Sequence, residues 1–358
     1  MGRVVFVRVR SVLLLLLLLL LLLLRAEGSP RGVNDPQTWL AEWQRRALLA
    51  MQLDPPNALP RFVPARAQSP PQAVPRLIWQ TWKSYAPAGP AHSRAVQTFV
   101  RLNRDYAFML FDDAAALDFM CTWHPKVAGV YQSFLPGAAR SDLWRLAVLQ
   151  TFGGVYVDSD SQALRPFSSL LWPNASLVSG LDFHGDLHQW VLIVKPGHAI
   201  VTAALARAAS RAARLFLSRR HWKGASVIHT TGPGAWNAAA NATLHGSACS
   251  SVLDEAAAAK RRVRDGNATA AQTSAVSSSA PLHLPACPGG TLQIFPAGLS
   301  GVVQFKAPGV GGSVHGGGEM YRTRPYYHES ERRWETLFNR TNGPRCGGDI
   351  HAVVMPAD

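Results

Sequence analysis

Acidic residues are scarce in this 358-residue sequence: 22 Asp and Glu stand against 36 Lys and Arg, a formal net charge of +14. Such an excess points to acidic partners, with nucleic acid, anionic lipid head groups and nucleotide phosphates as the candidates. No recognisable nucleic-acid module accompanies the charge, which argues against nucleic acid. Many of the arginines are scattered through Ala-, Gly- and Pro-rich stretches, so part of the excess is compositional bias. Cysteine is rare too. Cys121, Cys249, Cys287 and Cys346 form no C-x-x-C pair, which argues against a zinc site. They permit up to two disulfides, in any of three pairings, or four buried thiols. What the chain has in plenty is apolar surface: 47% of its residues are hydrophobic, enough for one large α/β domain or two small ones.

One apolar run stands apart, from Val12 to Leu24, preceded by Arg3, Arg8 and Arg10. Its thirteen helical residues span only ~20 Å against a bilayer core of ~30 Å. That length fits the apolar region of a signal peptide, or a short signal anchor if Val4 to Val7 join it and the arginines snorkel. The basic flank predicts a cytoplasmic amino end and a lumenal remainder. Four N-x-S/T sequons, at Asn174, Asn241, Asn267 and Asn339, agree with lumenal exposure. Residues 1–25 are thus expected as anchor or signal peptide, and residues 26–72, rich in Pro and Gln, as a stem carrying an amphipathic helix over 37–51.

The chain is organised around Gly137 to Arg165. From Ala138 to Phe152 nearly every residue is apolar and a good helix former. Asp142 and Arg145, three apart, share one face of that helix. Gly153 and Gly154 end it, because glycine takes the left-handed cap conformation without strain. Val155, Tyr156 and Val157 suit a buried strand, and Asp158 and Asp160 flank Ser159 at its carboxyl end. Ligands of open α/β sheets bind beyond the carboxyl ends of strands, and two carboxylates there can share a hard divalent cation. Such a cation would neutralise a diphosphate leaving group. An isolated D-x-D is otherwise an ordinary solvated turn. A turn alone does not explain an ionic pair inside an apolar helix, where unpaired charge is costly.

The order S-D-x-x-R-x-x-x-L-x-x-x-G-G-x-Y-x-D-x-D, carried by Ser141, Asp142, Arg145, Leu149, Gly153, Gly154, Tyr156, Asp158 and Asp160, resembles the sugar-binding DXD region of glycosyltransferase family 32. The retaining glucosyltransferase toxins carry a similar stretch. Leu164-Arg165-Pro166, Gln189-Trp190, Lys195-Pro196-Gly197-His198 and Thr231-Gly232-Pro233-Gly234-Ala235-Trp236 are similar to the initiation-specific α-1,6-mannosyltransferases of the fungal Golgi. The resemblance covers roughly Pro75 to Trp334. It implies a GT-A nucleotide-diphospho-sugar transferase fold, an α/β architecture on a mainly parallel sheet flanked by helices, over residues 73–345, with residues 346–358 as a tail.

It also implies retaining transfer of a hexose from a nucleotide sugar to a glycan or glycolipid at the Golgi membrane. The donor would be GDP-mannose and the cofactor Mn²⁺ or Mg²⁺. By that resemblance Asp160 ligates the metal, Asp158 holds a metal-bound water or the ribose, and Asp142 and Arg145 bind sugar hydroxyls. Gly153, Gly154 and Tyr156 fall in the donor region, and His328 in Tyr326-to-Trp334 completes the metal or diphosphate site. The Pro75-to-Lys83 strand and its Q-T-W segment would lie under the nucleotide base, so Trp79 and Trp82 are either stacking platforms or core aromatics. A UDP-galactose or UDP-N-acetylglucosamine transferase, an inositol-phosphoceramide mannosyltransferase and an inactive sugar-binding protein are the alternatives. Two further expectations are local: Asp112-Asp113 as a helix cap, and the Ala- and Ser-rich residues 246–290 as a flexible insertion.

Overall fold

The structure, a computed structural model, describes residues 35–67, 69–132, 137–182, 184–218, 224–269, 280–299 and 302–304. The basic and leucine-rich segment 1–25, the glycine-rich residues 309–318, His328, Trp334, Asn339 and Cys346 lie outside the described residues. Among the described residues no helix is long and apolar enough to cross a membrane.

The chain divides into two compact units, Met1–Arg46 and Ala47–Asp358. In the first, Asp35 caps the start of helix α1 (Pro36–Met51), accepting from the Thr38 amide at 2.8 Å and the Thr38 hydroxyl at 2.7 Å. Glu42 pairs with Arg45 and Arg46 one turn on, and these bonds pull its pKa down to about 2.

The second unit is built on an eight-stranded sheet. In chain order its strands are β1 (Phe62–Val63), β2 (Leu77–Thr81), β3 (Ala107–Phe111), β4 (Gly154–Val157), β6 (Ala175–Gly180), β7 (Val191–Val194), β8 (Leu282–Cys287) and β9 (Gly290–Phe295). Their spatial order is β1-β3-β2-β4-β7-β6-β9-β8. A small second sheet pairs β5 (Gln162–Ala163) with β10 (Val303–Gln304).

The expected mainly parallel sheet is corrected to a mixed one. β2 runs parallel to β3 and β4, and β6 to β9, but β4 and β6 each pair antiparallel with β7. β1 and β8 are antiparallel edges. Residues 62–63, expected in the stem, therefore belong to the sheet.

Strand alternation sorts the two faces. Ile78, Phe108, Leu110, Val155 and Val157 point toward helix α2 (Pro90–Leu102), where Val96 and Phe99 complete one core. Trp79, Phe111 and Tyr156 point the other way. They meet Trp144 and Phe152 of the long helix over Gly137–Phe152, on which Phe119 of helix α3 (Asp113–Trp123) packs in turn. Between these two come a short helix, α4 (Pro125–Gln132), and then the long one, α5. α5 is buried on nearly every side, as its lack of a polar face requires. Asp112 caps α3 by accepting the Ala115 amide at 2.9 Å, as expected.

Four more helices follow: α6 (Ala199–Leu217), α7 (Gly224–Thr230), α8 (Pro233–Leu244) and α9 (Ala248–Arg264). The last replaces much of the expected insertion. Ser247 caps it, and a disulfide joins its Cys249 to Cys287 at the end of β8. Cys121 is also disulfide-bonded. The sequons at Asn174, Asn241 and Asn267 are all exposed.

Among the described residues four histidines are held neutral by burial, with their pKa values lowered to about 4: His92, His124, His188 and His198. In the unfolded chain they take up protons near pH 6.5. Between roughly pH 6.5 and 4 the unfolded state therefore binds more protons, and stability falls as pH falls through that window. Thermal denaturation from pH 7.5 down to 5 should show a steadily decreasing Tm. A Tm level over that range would contradict the neutral, buried state of these rings.

Candidate active site

The Gly153–Gly154 turn sets the site's position. Both glycines have left-handed φ, 64° and 101°. A Cβ on Gly154 would sit 2.6 Å from the Leu77 carbonyl oxygen, and one on Gly153 2.6 Å from Pro196. Only glycine fits, and α5 can then reverse directly into β4. The reversal aligns the two elements so that residues early in α5 lie beside the carboxyl end of β4.

Those residues form one buried network. Arg145 Nη2 lies 3.1 Å from Asp142 Oδ1 and 3.1 Å from Asp158 Oδ1. Arg145 Nη1 donates to the Gln189 carbonyl at 2.8 Å. The guanidinium carbon sits 4.5 Å from the centre of the Tyr156 ring. The Tyr156 hydroxyl donates to Asp158 Oδ1 at 2.7 Å and meets the Ser141 hydroxyl at 3.1 Å. Thr231 Oγ1 donates to Asp142 Oδ2 at 2.9 Å, and Gln189 Nε2 donates to the Thr231 carbonyl at 3.0 Å. Burial opposes the charge on Arg145, yet Asp158, Tyr156, Asp142 and Asp160 around it prevail and raise its pKa. Burial likewise drives the Tyr156 pKa well up, so it stays a phenol that donates to Asp158.

Asp160 completes the acidic side. It is 4% exposed and belongs to a tight turn, closed by the Ser161 amide donating to the Asp158 carbonyl at 3.0 Å. Among the described residues the Arg145 guanidinium thus lies near the carboxylates of Asp142, Asp158 and Asp160. Carboxylates gathered beyond the carboxyl end of a strand suit a divalent cation. Among the described residues no group of three or more His, Cys, Asp or Glu is arranged to hold a metal by itself. Asp158 and Asp160 supply hard oxygen ligands of the kind Mg²⁺ and Mn²⁺ take, at a site where phosphate oxygens and water would fill the remaining positions.

The structure thus brings together Asp142, Arg145, Tyr156, Asp158 and Asp160, and it places other expected donor residues elsewhere. Gly153 and Gly154 lie at the amino end of β4, the end away from the carboxylates, and serve the helix-to-strand reversal. Trp79 is fully buried: its ring stacks on Phe152 at 5.5 Å and its indole N–H donates to the Gly153 carbonyl at 2.7 Å. It is a core aromatic. Trp82 is also in the core, bonded to the Ala86 carbonyl at 3.1 Å and tilted over His92. Thr231 and the Gln189 carbonyl entered the sequence reading only through motif likeness. Their contacts with Asp142 and Arg145, across 89 and 44 residues, carry no local signal.

Residues 89–177, which hold α5, β4 and the D-x-D turn, match the family model described as glycosyltransferase sugar-binding region containing DXD motif. Asp158, Ser159 and Asp160 lie within that match. A mannosyl phosphorylinositol ceramide synthase of Saccharomyces cerevisiae is 32% identical over 35% of this chain and 32% of its own length. The initiation-specific alpha-1,6-mannosyltransferase of Schizosaccharomyces pombe is 27% identical over 46% of this chain and 47% of its own. The chain thus spans less than half the length of these curated relatives. Among solved structures, PaToxG Glycosyltransferase is similar at 17% identity with a TM-score of 0.41, over 57% of this chain and 84% of that one.

Proposed function

We propose that this protein is a retaining glycosyltransferase of GT-A type that moves a hexose, mannose from GDP-mannose, onto a glycan of the secretory pathway. The observation that carries the reading is the buried cluster of carboxylates around Arg145 at the carboxyl end of β4, inside the matched DXD region. The mannosyltransferase names of two relatives favour mannose. One of them has a ceramide lipid in its name, which makes a glycolipid acceptor the second reading.

In this reading Asp160 and Asp158 hold a divalent cation, Mn²⁺ or Mg²⁺, which supplies charge stabilisation to the departing diphosphate. Asp158 has Oδ1 bonded to Arg145 and Tyr156, which fixes its orientation beside the cation. Asp142, held by Thr231 and Arg145, presents its carboxylate to sugar hydroxyls. Arg145 acts by orienting both aspartates. The charge flank of residues 1–25 and the exposed sequons at Asn174, Asn241 and Asn267 support a lumenal placement.

A donor panel tests the function: release of sugar from GDP-mannose, UDP-galactose, UDP-glucose and UDP-N-acetylglucosamine, with Mn²⁺ and with EDTA. GDP-mannose should be turned over fastest, and only with metal. Release from a UDP-sugar instead would replace the donor, and no release from any would leave a sugar-binding protein. N-glycosidase treatment of the same preparation should increase its mobility; no shift would overturn the lumenal placement.

A further inference from the structure

Gln189 stands two residues ahead of β7, buried at 3% exposure in the segment that leads from β6 into β7. Its main chain and its side chain serve different ends of the site. The Gln189 carbonyl accepts from Arg145 Nη1 at 2.8 Å. The next carbonyl, of Trp190, accepts the Asp158 amide at 3.0 Å. Both bonds use backbone groups and steady the D-x-D end. The side chain turns to the other end, where its Nε2 donates to the Thr231 carbonyl at 3.0 Å. A carbonyl oxygen only accepts, so the Gln189 amide has to present its NH2 group there.

Thr231 joins α7 to α8, and Gly232 and Gly234 follow it on either side of Pro233. Glycines leave such a joint many conformations. The Thr231–Gly232 peptide is held at both ends: its N–H donates to the Val227 carbonyl at 2.8 Å, and its C=O accepts from Gln189. That fixes the course of the chain carrying the Thr231 hydroxyl. The hydroxyl has two acceptors in reach, Asp142 Oδ2 at 2.9 Å and the Val227 carbonyl at 3.4 Å. Val227 already accepts the Thr231 and Gly232 amides, at 3.0 and 2.8 Å. A carbonyl has two lone pairs, so a third donor is poorly served there and the hydroxyl goes to Asp142. A second tie lies alongside. Asn237 of α8 accepts the Leu187 amide at 2.8 Å and donates to the Leu187 carbonyl at 3.2 Å. Residues 187–190 are thereby bonded to the α8 end of the network at two points.

We propose that Gln189 is a positioning residue for the sugar end of the site: its side chain holds the Thr231 peptide so that the Thr231 hydroxyl orients Asp142. The inference rests on the reading of Asp142 as a sugar contact. It adds that sugar recognition and metal binding are separable at one residue. A side-chain substitution breaks the tie to Thr231 and keeps the carbonyl that holds Arg145. Asp142 would then retain Arg145 at 3.1 Å but lose the bond that Thr231 makes to its second oxygen.

The test uses the full chain and four variants: Gln189→Met, Thr231→Val, the two combined, and Thr231→Ser. Calorimetry gives the affinity for GDP-mannose and for GDP, each with Mn²⁺, and for Mn²⁺ alone. The ratio of GDP-mannose to GDP affinity isolates the sugar. Gln189→Met should lower that ratio about tenfold, the effect of one buried hydrogen bond lost at a carboxylate. Its affinities for GDP and Mn²⁺ should stay at the wild-type level. Thr231→Val should act alike, and Thr231→Ser should restore most of the ratio because the hydroxyl returns. The double variant should be no worse than either single one, since both break the same chain of bonds. A wild-type ratio in Gln189→Met overturns the proposal. An equal fall in GDP and GDP-mannose affinity does so too, because it marks a general structural loss, and so does full additivity in the double variant. If Gln189→Met does not fold, Thr231→Val decides: the chain of bonds passes through its hydroxyl, so a lowered ratio supports the proposal and a wild-type ratio overturns it. Wild-type protein that binds neither GDP nor GDP-mannose defeats the donor reading and this inference with it. Binding of both, with variants that match the wild type, defeats this inference alone.

Discussion

Asp160→Ala should lower sugar transfer by several orders of magnitude while leaving the fold intact. Asp160 lies in the turn just past β4, 4% exposed, and Arg145 ties its bonds to Asp142 and Asp158 instead. Its loss therefore removes charge from the acidic side without taking away a bonded partner of the guanidinium. In the proposed reaction it removes one of few protein ligands from the cation that offsets charge on the leaving diphosphate. Such stabilisation is worth several kcal/mol, and each ~1.4 kcal/mol is tenfold in rate. Ser159→Ala should be mild, since the alternation of β4, carried on into the D-x-D, points the middle side chain away from the two carboxylates. EDTA should reproduce the Asp160 defect in the unmodified protein, and added Mn²⁺ should reverse it there but not in the variant. Asp158→Ala makes a poorer probe, because Arg145 and Tyr156 both bond its Oδ1 and the variant loses stability as well. Turnover of Asp160→Ala at the wild-type rate under saturating Mn²⁺ would refute the metal role of the D-x-D.

Local chemistry made the centre of this molecule readable. The helix over 138–152, the glycine reversal, strand 155–157 and the Asp112 cap depend on residues adjacent in sequence, and the structure has them within a residue or two. Pairing direction is not local. The apolar run Val191–Val194 reads the same whether it lies parallel or antiparallel to β4, so a mainly parallel sheet was expected where a mixed one stands. Trp79 shows the same limit: an aromatic near a strand end suits a stacking platform, but Phe111 and Phe152, 32 and 73 residues away, enclose it. The Thr231 bond to Asp142 joins a turn motif to a helix that nothing in either segment links. Residues 248–264 were misread for another reason. Their Ala and Ser content suggested a flexible insertion, yet alanine is the strongest helix former and Ser247 is a good cap.

Asp142 and Arg145 should separate catalysis from folding, in opposite ways. The sequence treats them as an equivalent pair binding sugar, but the structure gives them unequal surroundings. Arg145 lies among three carboxylates and directs its two Nη groups to Gln189, Asp142 and Asp158. Arg145→Met would keep most of the side chain's volume and leave three buried carboxylates facing each other. Breaking a buried pair in this sense costs about 3–5 kcal/mol, and added Mn²⁺ should recover part of the lost Tm by neutralising the cluster. Asp142→Asn removes one charge from the acidic side of the network. Arg145 retains Asp158, and the new amide oxygen can still accept from Thr231. Its Tm should stay within a few degrees of wild type. Transfer should nevertheless fall at least a hundredfold, because an amide cannot accept from a sugar hydroxyl and from Arg145 as a carboxylate does. Thermal denaturation and donor turnover on the two variants, each with and without Mn²⁺, give the comparison. Should Asp142→Asn unfold like Arg145→Met, the pair is a structural salt bridge and the sugar contact must be sought elsewhere. If it keeps both Tm and turnover, Asp142 binds no sugar, and the network around Arg145 serves only to hold the D-x-D turn.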